Sequence, residues 1–318
     1  MMIKSYAKIN LGLEVVRKRP DGYHDIRTLF QWIDLFDILR FEDRPSSEIR
    51  LEGSDPSIPW DETNLIFRAV NALRERCGVS RGVAVRVEKN IPAGRGLGGG
   101  SSNAAVTLWA LDRLWELGLS RGDLVALGRR LGADVAFFFE GGLCLGEERG
   151  DRLTPLPDLP SLPVVLAFPP FSVPTARIYA NLTPSSLTSA GKDSKISRFL
   201  ETREVGFLEN RLEATIFSFY PQLSEYKSLF RSQGAELSLV TGSGSAVYGL
   251  FRERAAAERS LAAMKTRGAA VLVETLSREQ GWSGLEAGAS PSGKAADFGS
   301  AIRGFESSRP SSEIKKVG

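Results

Sequence analysis

Five of the seven residues from Gly94 to Gly100 are glycine, inside the run Pro92-Ala93-Gly94-Arg95-Gly96-Leu97-Gly98-Gly99-Gly100-Ser101-Ser102-Asn103-Ala104-Ala105. A stretch so poor in side chains suits sharp turns and lets another group approach the backbone closely. Its neighbours narrow the choice. Val83, Val85 and Val87 alternate before it, which predicts a strand. After it, Ala105, Leu108, Leu111, Leu114 and Trp115 recur at helical spacing, which predicts a helix from Ser101 or Ser102 to about Glu116, capped by one of those serines. Backbone amides between a strand and a helix N-terminus share one concavity and the positive end of the helix, an arrangement suited to a polyphosphate. No Gly-Lys-Ser/Thr follows, so this is not a P-loop, and the dinucleotide fingerprint fits poorly.

Other segments give the frame. Ile3, Ala7, Ile9, Leu11, Leu13 and Val15 alternate with Lys4, Tyr6, Lys8, Asn10 and Glu14, predicting a half-buried strand whose polar face carries Lys8 and Asn10. Further strands are expected at Leu35–Phe41, Val135–Phe139, Val164–Phe168, Leu237–Val240, Ala246–Phe251 and Ala269–Leu276. Asp61-Glu62-Thr63 opens a helix that Gly78 ends, and Ser120 with Asp123 has capping-box spacing for a helix ending at Gly132. A last helix should cover Glu253–Arg267. The proline-rich stretch Pro155–Pro163 reads as a boundary, giving two α+β lobes, residues 1–155 and 156–277, with a cleft between them. Of the 41 residues from 278 to 318, 17 are Gly, Ser or Pro, which reads as a disordered tail.

Composition removes several functions. Net charge is +3 over 318 residues, too balanced for an electrostatic nucleic-acid binder. One histidine and two cysteines cannot furnish a zinc site of the usual ligand types, and no residue is singled out as a metal ligand. With no apolar run near membrane-spanning length and no secretory leader pattern, the expectation is a cytoplasmic protein that meets neither membrane nor nucleic acid. Lys8-Ile9-Asn10, Asp21-Gly22-Tyr23-His24 and Gly132-Ala133-Asp134 are each unremarkable alone. Phosphoryl transfer to an alcohol, however, needs a cation for phosphate charge and a carboxylate for the hydroxyl proton. Thr241-Gly242-Ser243-Gly244-Ser245-Ala246 is a second small-residue loop, read either as a tight turn or as a close approach to ligand.

In this order, the segments around Lys8, the glycine run and the loop at 241–246 resemble the GHMP kinases. Ala7-Lys8-Ile9-Asn10-Leu11, Arg19-Pro20-Asp21-Gly22-Tyr23-His24, Thr28-Leu29-Phe30-Gln31, Asn64-Leu65-Ile66, Gly96–Ala105, Leu131-Gly132-Ala133-Asp134-Val135 and Val173-Pro174-Thr175 are similar to the branch that acts on a cytidylylated methylerythritol. That resemblance implies an N-terminal lobe like the second domain of ribosomal protein S5 and a ferredoxin-like C-terminal lobe. It implies transfer of phosphate from ATP, bound with Mg²⁺, to the substrate's 2-hydroxyl, on the methylerythritol phosphate route to isoprenoids. It makes Asp134 the acceptor of the hydroxyl proton, with Lys8 beside it to supply positive charge and help hold the phosphoryl oxygens. Asn10 and Thr175 would contact the small-molecule substrate, Tyr23 and Tyr179 would sandwich its cytosine, and His24 would bond the base edge. Pro92, Ala93, Gly94, Arg95, Gly96, Leu97, Gly98, Gly99, Gly100, Ser101 and Ser102 would wrap the phosphates, with Asn64 and Lys89 near adenine. Arg95 departs from the small residue usual there and is read as projecting to solvent; Ala136 stands where proline is common. Homoserine or mevalonate as acceptor, and a non-catalytic nucleotide or RNA binder, remain rival readings, the last disfavoured by the balanced charge and by Lys8 with Asp134.

Overall fold

In the computed structural model, which describes residues 1–187 and 194–288, one long hairpin organises the chain. Strand β1 (Met2–Lys18) runs antiparallel to β2 (His24–Arg44), from Met2 opposite Arg40 to Lys18 opposite His24. There follow β3 (Ile49–Gly53), α1 (Leu65–Cys77), β4 (Gly82–Glu88), α2 (Gly99–Leu114), α3 (Arg121–Leu131), a 3-10 turn Ala133–Val135, α4 (Phe137–Glu140), β5 (Leu143–Glu147) and β6 (Arg152–Pro155). Beside β1 on one edge of β2, β5 and β4 share the other edge, at Thr28–Gln31 and Ile38–Arg44. The first sheet thus has the order β3-β4-β2-β5-β6, with β1 on β2.

The second half is β7 (Pro163–Phe168), α5 (Thr175–Ala180), α6 (Lys195–Thr202), α7 (Glu213–Phe219), α8 (Gln222–Ser232), β8 (Leu237–Val240), β9 (Val247–Leu250), α9 (Arg254–Lys265), β10 (Ala269–Glu274) and α10 (Arg278–Gly288). Its sheet is antiparallel throughout, in the order β10-β7-β9-β8, with helices after β7 and after β9. That is the ferredoxin-like β-α-β-β-α-β arrangement. Among the described residues no helix is long and apolar enough to cross a membrane.

Both faces of the hairpin are covered. Phe30, Trp32, Ile38 and Tyr6 pack in the core beneath α1, α2 and α3, whereas Ala7, Ile9, Leu11, Leu29, Ile33 and Leu35 pack with Leu166, Leu239 and Tyr248 of the second sheet. One apolar core therefore spans both halves. The expectation of a half-buried β1 is corrected accordingly: Tyr6, Lys8, Asn10 and Glu14 are all buried, because helices and the second half cover the face that alternation marks as polar. Burial on two faces also explains why β2 begins at His24 rather than Leu35, since a strand with two apolar faces loses its period-two signature.

Val135–Phe139 is not a strand. The chain makes the 3-10 turn and then α4, and Gly141, at φ +67°, ends it. A helical turn sends the three consecutive phenylalanines to different neighbours: Phe137 stacks on Phe30 at 4.9 Å between centroids, Phe138 abuts Gly98, and Phe139 packs over Gly128. A strand would place Phe137 and Phe139 on one face. The segment read as a tail is likewise corrected at its start, because residues 278–288 form α10. Trp282 packs edge-on to Trp32 at 5.8 Å, and Leu285 is buried. Gly281 and Gly284, counted as signs of disorder, are the points where this helix comes closest, against the Trp32 ring and the Tyr6 hydroxyl. Residues 289–318 lie outside the described residues.

Candidate active site

The glycine run folds into a cradle through left-handed turns at Gly94, Gly96 and Gly98 (φ +66°, +77° and +71°). Helix α2 starts at Gly99, earlier than expected, with Gly98 as its N-cap and no side chain capping the first turn. A serine cap would have used amides that here stay available to an anion. The cradle opens onto a cavity of about 430 Å³ whose walls include Trp60, Asn64, Lys89 and Ser101. The floor leaves no room for side chains. A Cβ on Gly96 would overlap the Thr241 carbonyl oxygen, and one on Gly98 would lie 2.9 Å from Phe138 Cζ and 3.1 Å from Lys8 Cγ.

The remaining cradle residues differ in availability. Ser101 lines the cavity, but Ser102 is buried and its hydroxyl accepts from Ser5 Oγ at 2.7 Å. Asn64 caps α1 by accepting from the Ile66 amide at 3.0 Å and donates to the Pro59 carbonyl at 2.8 Å. Lys89 forms a buried ion pair with Asp37, whose other oxygen accepts from the amides of Asn90 and Ile91 at 2.7 and 2.8 Å. This pair fixes the chain just before Pro92. Arg95 lines the cavity, but its side chain does not simply project to solvent. Its guanidinium donates to the carbonyl oxygens of Pro169 at 2.8 Å and of Phe171, and to Ser245 Oγ at 2.6 Å, pinning the cradle to the second lobe. Arg95→Ala is expected to lower folding stability by roughly 1.5–3 kcal/mol, the worth of hydrogen bonds to a charged group, as read by chemical denaturation.

Lys8 meets the cradle from β1. Its amide donates to the Leu97 carbonyl at 3.0 Å, and its ammonium donates to Asn10 Oδ1 at 2.7 Å and lies 3.4 Å from Asp134 Oδ2. The Lys8 side chain is 4% exposed and that of Asp134 35%, so the cation is shielded while the carboxylate stays partly open to solvent. Asn10 Nδ2 donates to Thr28 Oγ1 at 2.7 Å, which donates to the Gly12 carbonyl at 2.8 Å, so the amide that receives Lys8 is fixed in orientation. Thr28 lies in a segment that carries part of the family resemblance, but nothing in its apolar surroundings in β2 marks it as the residue that orients Asn10.

At the far end of the hairpin, the Arg19 amide donates to the Tyr23 carbonyl at 2.8 Å, and Asp21 bonds both Arg19 Nε and the Tyr23 amide. Tyr23 is 61% exposed beneath the Arg149 guanidinium. His24 is buried against Tyr179, ring centroids 5.3 Å apart. Among the described residues no ring contact joins Tyr23 to Tyr179, and His24 Nδ1 has no hydrogen-bond partner. Burial, then the Lys18 charge, lowers the His24 pKa, so the ring is neutral at pH 7. Burial, then the negative charge of Asp134, pushes the Tyr179 phenol up. Thr175 Oγ1 lies 2.6 Å from Ser243 Oγ, tying the start of α5 to the second loop.

Comparison with known proteins agrees with this geometry. The chain matches the GHMP kinases N terminal domain over residues 64–142 and the GHMP kinases C terminal domain over 195–270. It is 38% identical over 264 residues to the 4-diphosphocytidyl-2-C-methyl-D-erythritol kinase of Geobacillus kaustophilus, spanning 81% of this chain and 91% of that one. A crystal structure of 4-(cytidine 5'-diphospho)-2C-methyl-D-erythritol kinase superposes with TM-score 0.75 at 37% identity, over 86% of this chain and 99% of that one. Homoserine kinase from Cytophaga hutchinsonii shares the fold, at TM-score 0.68 and 19% identity over 88% and 96% of the two chains. With family domains in both lobes, and relatives this similar along most of its length, the chain belongs to the GHMP kinases, in their 4-diphosphocytidyl-2-C-methyl-D-erythritol kinase branch.

Proposed function

We propose that this protein transfers the terminal phosphoryl group of ATP to the 2-hydroxyl of 4-diphosphocytidyl-2-C-methyl-D-erythritol, giving the 2-phosphate, on the methylerythritol phosphate route to isoprenoids. The observation that carries the reading is the Lys8–Asp134 pair, 3.4 Å apart at the rim of the glycine cradle. Residues 1–155 supply the cradle and this pair, and residues 156–277 close the cleft from the other side.

Asp134, partly open to solvent, takes the proton of the acceptor hydroxyl as its oxygen forms a bond to the γ-phosphorus and the bond to the β-phosphate oxygen breaks, releasing ADP. Lys8 balances the charge gathering on the transferred group. Because it is held by Asn10 Oδ1 as well as by Asp134, it keeps its place when the carboxylate is protonated. The amides of the cradle and of the first turn of α2 receive the phosphates, a role supported by the absence of room for any Cβ at Gly96 and Gly98. Mg²⁺ carried on the triphosphate would neutralise its charge, with the Ser101 hydroxyl as the side chain at hand.

The neutral His24 ring offers an unpartnered Nδ1 to the edge of a pyrimidine, beside the face of Tyr179. An aromatic contact to a base is worth roughly 1–3 kcal/mol. Tyr179→Ala should therefore raise KM for the cytidylyl substrate about 5- to 150-fold with much less change for ATP, the ratio that 1–3 kcal/mol represents. Equal effects on both would place Tyr179 outside the base site. The direct test of the function is a coupled assay with the cytidylyl substrate, homoserine and mevalonate in parallel; turnover with the first and not the others supports the reading.

A further inference from the structure

The second loop, Thr241–Ala246, carries no side chain longer than threonine, so its position is set by whatever grips its ends. We infer that Asn210 and Glu213 are positioning residues that seat this loop against Lys8 and the glycine cradle, an inference resting on the kinase reading above. Asn210 Nδ2 donates to the carbonyl oxygens of Val240 at 2.8 Å and Gly242 at 2.7 Å, and Oδ1 accepts from the Leu212 amide at 3.0 Å. Both amide hydrogens are thus committed to the loop and its stem. Glu213 Oε1 accepts from the Val240 amide at 2.9 Å, while Oε2 is paired with Lys227. Asn210 and Glu213 are 3% and 7% exposed.

The backbone of the same segment holds the strand that carries Lys8 and Asn10. The Leu13 amide donates to the Glu209 carbonyl at 2.9 Å, and the Arg211 amide donates to the Leu13 carbonyl at 2.8 Å. Residues 209–213 therefore hold β1 with main chain and the loop with side chains, and so set the distance between them. The loop reaches the phosphate side of the site. Thr241 Oγ1 accepts from the Asn10 amide at 3.2 Å and donates to the Gly96 carbonyl at 3.1 Å, and the Cβ position of Gly242 is 3.7 Å from Lys8 Nζ. Tyr248 strengthens the same frame, its buried hydroxyl donating to the Asn10 carbonyl at 2.9 Å. Without the Asn210 amide, Gly242 (φ +55°) is released next to the reacting phosphate, whereas His24 and Tyr179 keep their own contacts.

The test is steady-state kinetics on the full chain. Asn210→Ala should lower kcat/KM for ATP about 10- to 100-fold, with both parameters affected, because displacement of a site by about 1 Å costs on that order. KM for the cytidylyl substrate should stay nearly constant. Glu213→Gln, which keeps an oxygen for the Val240 amide, should shift the same parameters in the same direction by less, and it carries the test if Asn210→Ala does not fold by circular dichroism. Loss of kcat alone, in proportion to the unfolded fraction, or unchanged kinetics in the folded variants, would overturn the inference. Wild-type protein inactive on the cytidylyl substrate would instead overturn the kinase reading; titration of the variants with a fluorescent ATP analogue would still read the loop, an unchanged Kd sinking the inference.

Discussion

Asp134→Asn should lower kcat by about 10²–10⁴-fold, the usual worth of a positioned general base, while KM for ATP barely moves. The substitution keeps the side chain's shape and its place on the 3-10 turn, and Lys8 remains anchored by Asn10 Oδ1, so the cradle is left intact. Removed are the negative charge and the capacity to take a proton. Single-turnover measurements should put the loss in the phosphoryl-transfer step. Normal turnover by the variant would assign the carboxylate no part in the chemistry, and equal losses in ATP affinity would make it a structural partner of Lys8.

Gly96→Ala should raise KM for ATP by an order of magnitude or more and cost stability as well. Its backbone is at φ +77°, where a Cβ costs roughly 1–2 kcal/mol, and that carbon would overlap the Thr241 carbonyl oxygen. The cradle or the second loop must give way, and the hydrogen bond from Thr241 Oγ1 to the Gly96 carbonyl goes with it. Gly94→Ala is the matched control. Its φ of +66° carries a similar strain, but nothing lies within 4 Å of the new carbon, so stability should fall while ATP binding is largely kept. Similar KM values for the two variants would mean that backbone strain, not close approach of the loops, governs the cradle.

Much of this site is legible in the sequence because local rules act there. Glycines at turns, the capping box of Ser120 and Asp123, and the left-handed stop at Gly78 are short-range features, and they appear where expected. The rest depends on what covers a segment. Alternation marks Lys8, Asn10 and Glu14 as one face of a strand but cannot show that helices and a second sheet bury that face. The three phenylalanines at 137–139 fit strand and helix equally as an apolar run; only their three separate neighbours decide. Gly281 and Gly284 look like linker residues until Trp32 and Tyr6 are seen against them. Arg95 finds its carbonyl partners some 75 residues away, and Asn210 holds a loop about 30 residues on, contacts with no signature in either sequence neighbourhood.

A crystal structure with a non-hydrolysable ATP analogue and the cytidylyl substrate bound together would decide the matter. The acceptor oxygen should lie within about 3 Å of the Asp134 carboxylate, with Lys8 Nζ beside the terminal phosphate above Gly98. An acceptor hydroxyl lying beyond reach of Asp134, with the triphosphate outside the glycine cradle, would contradict it.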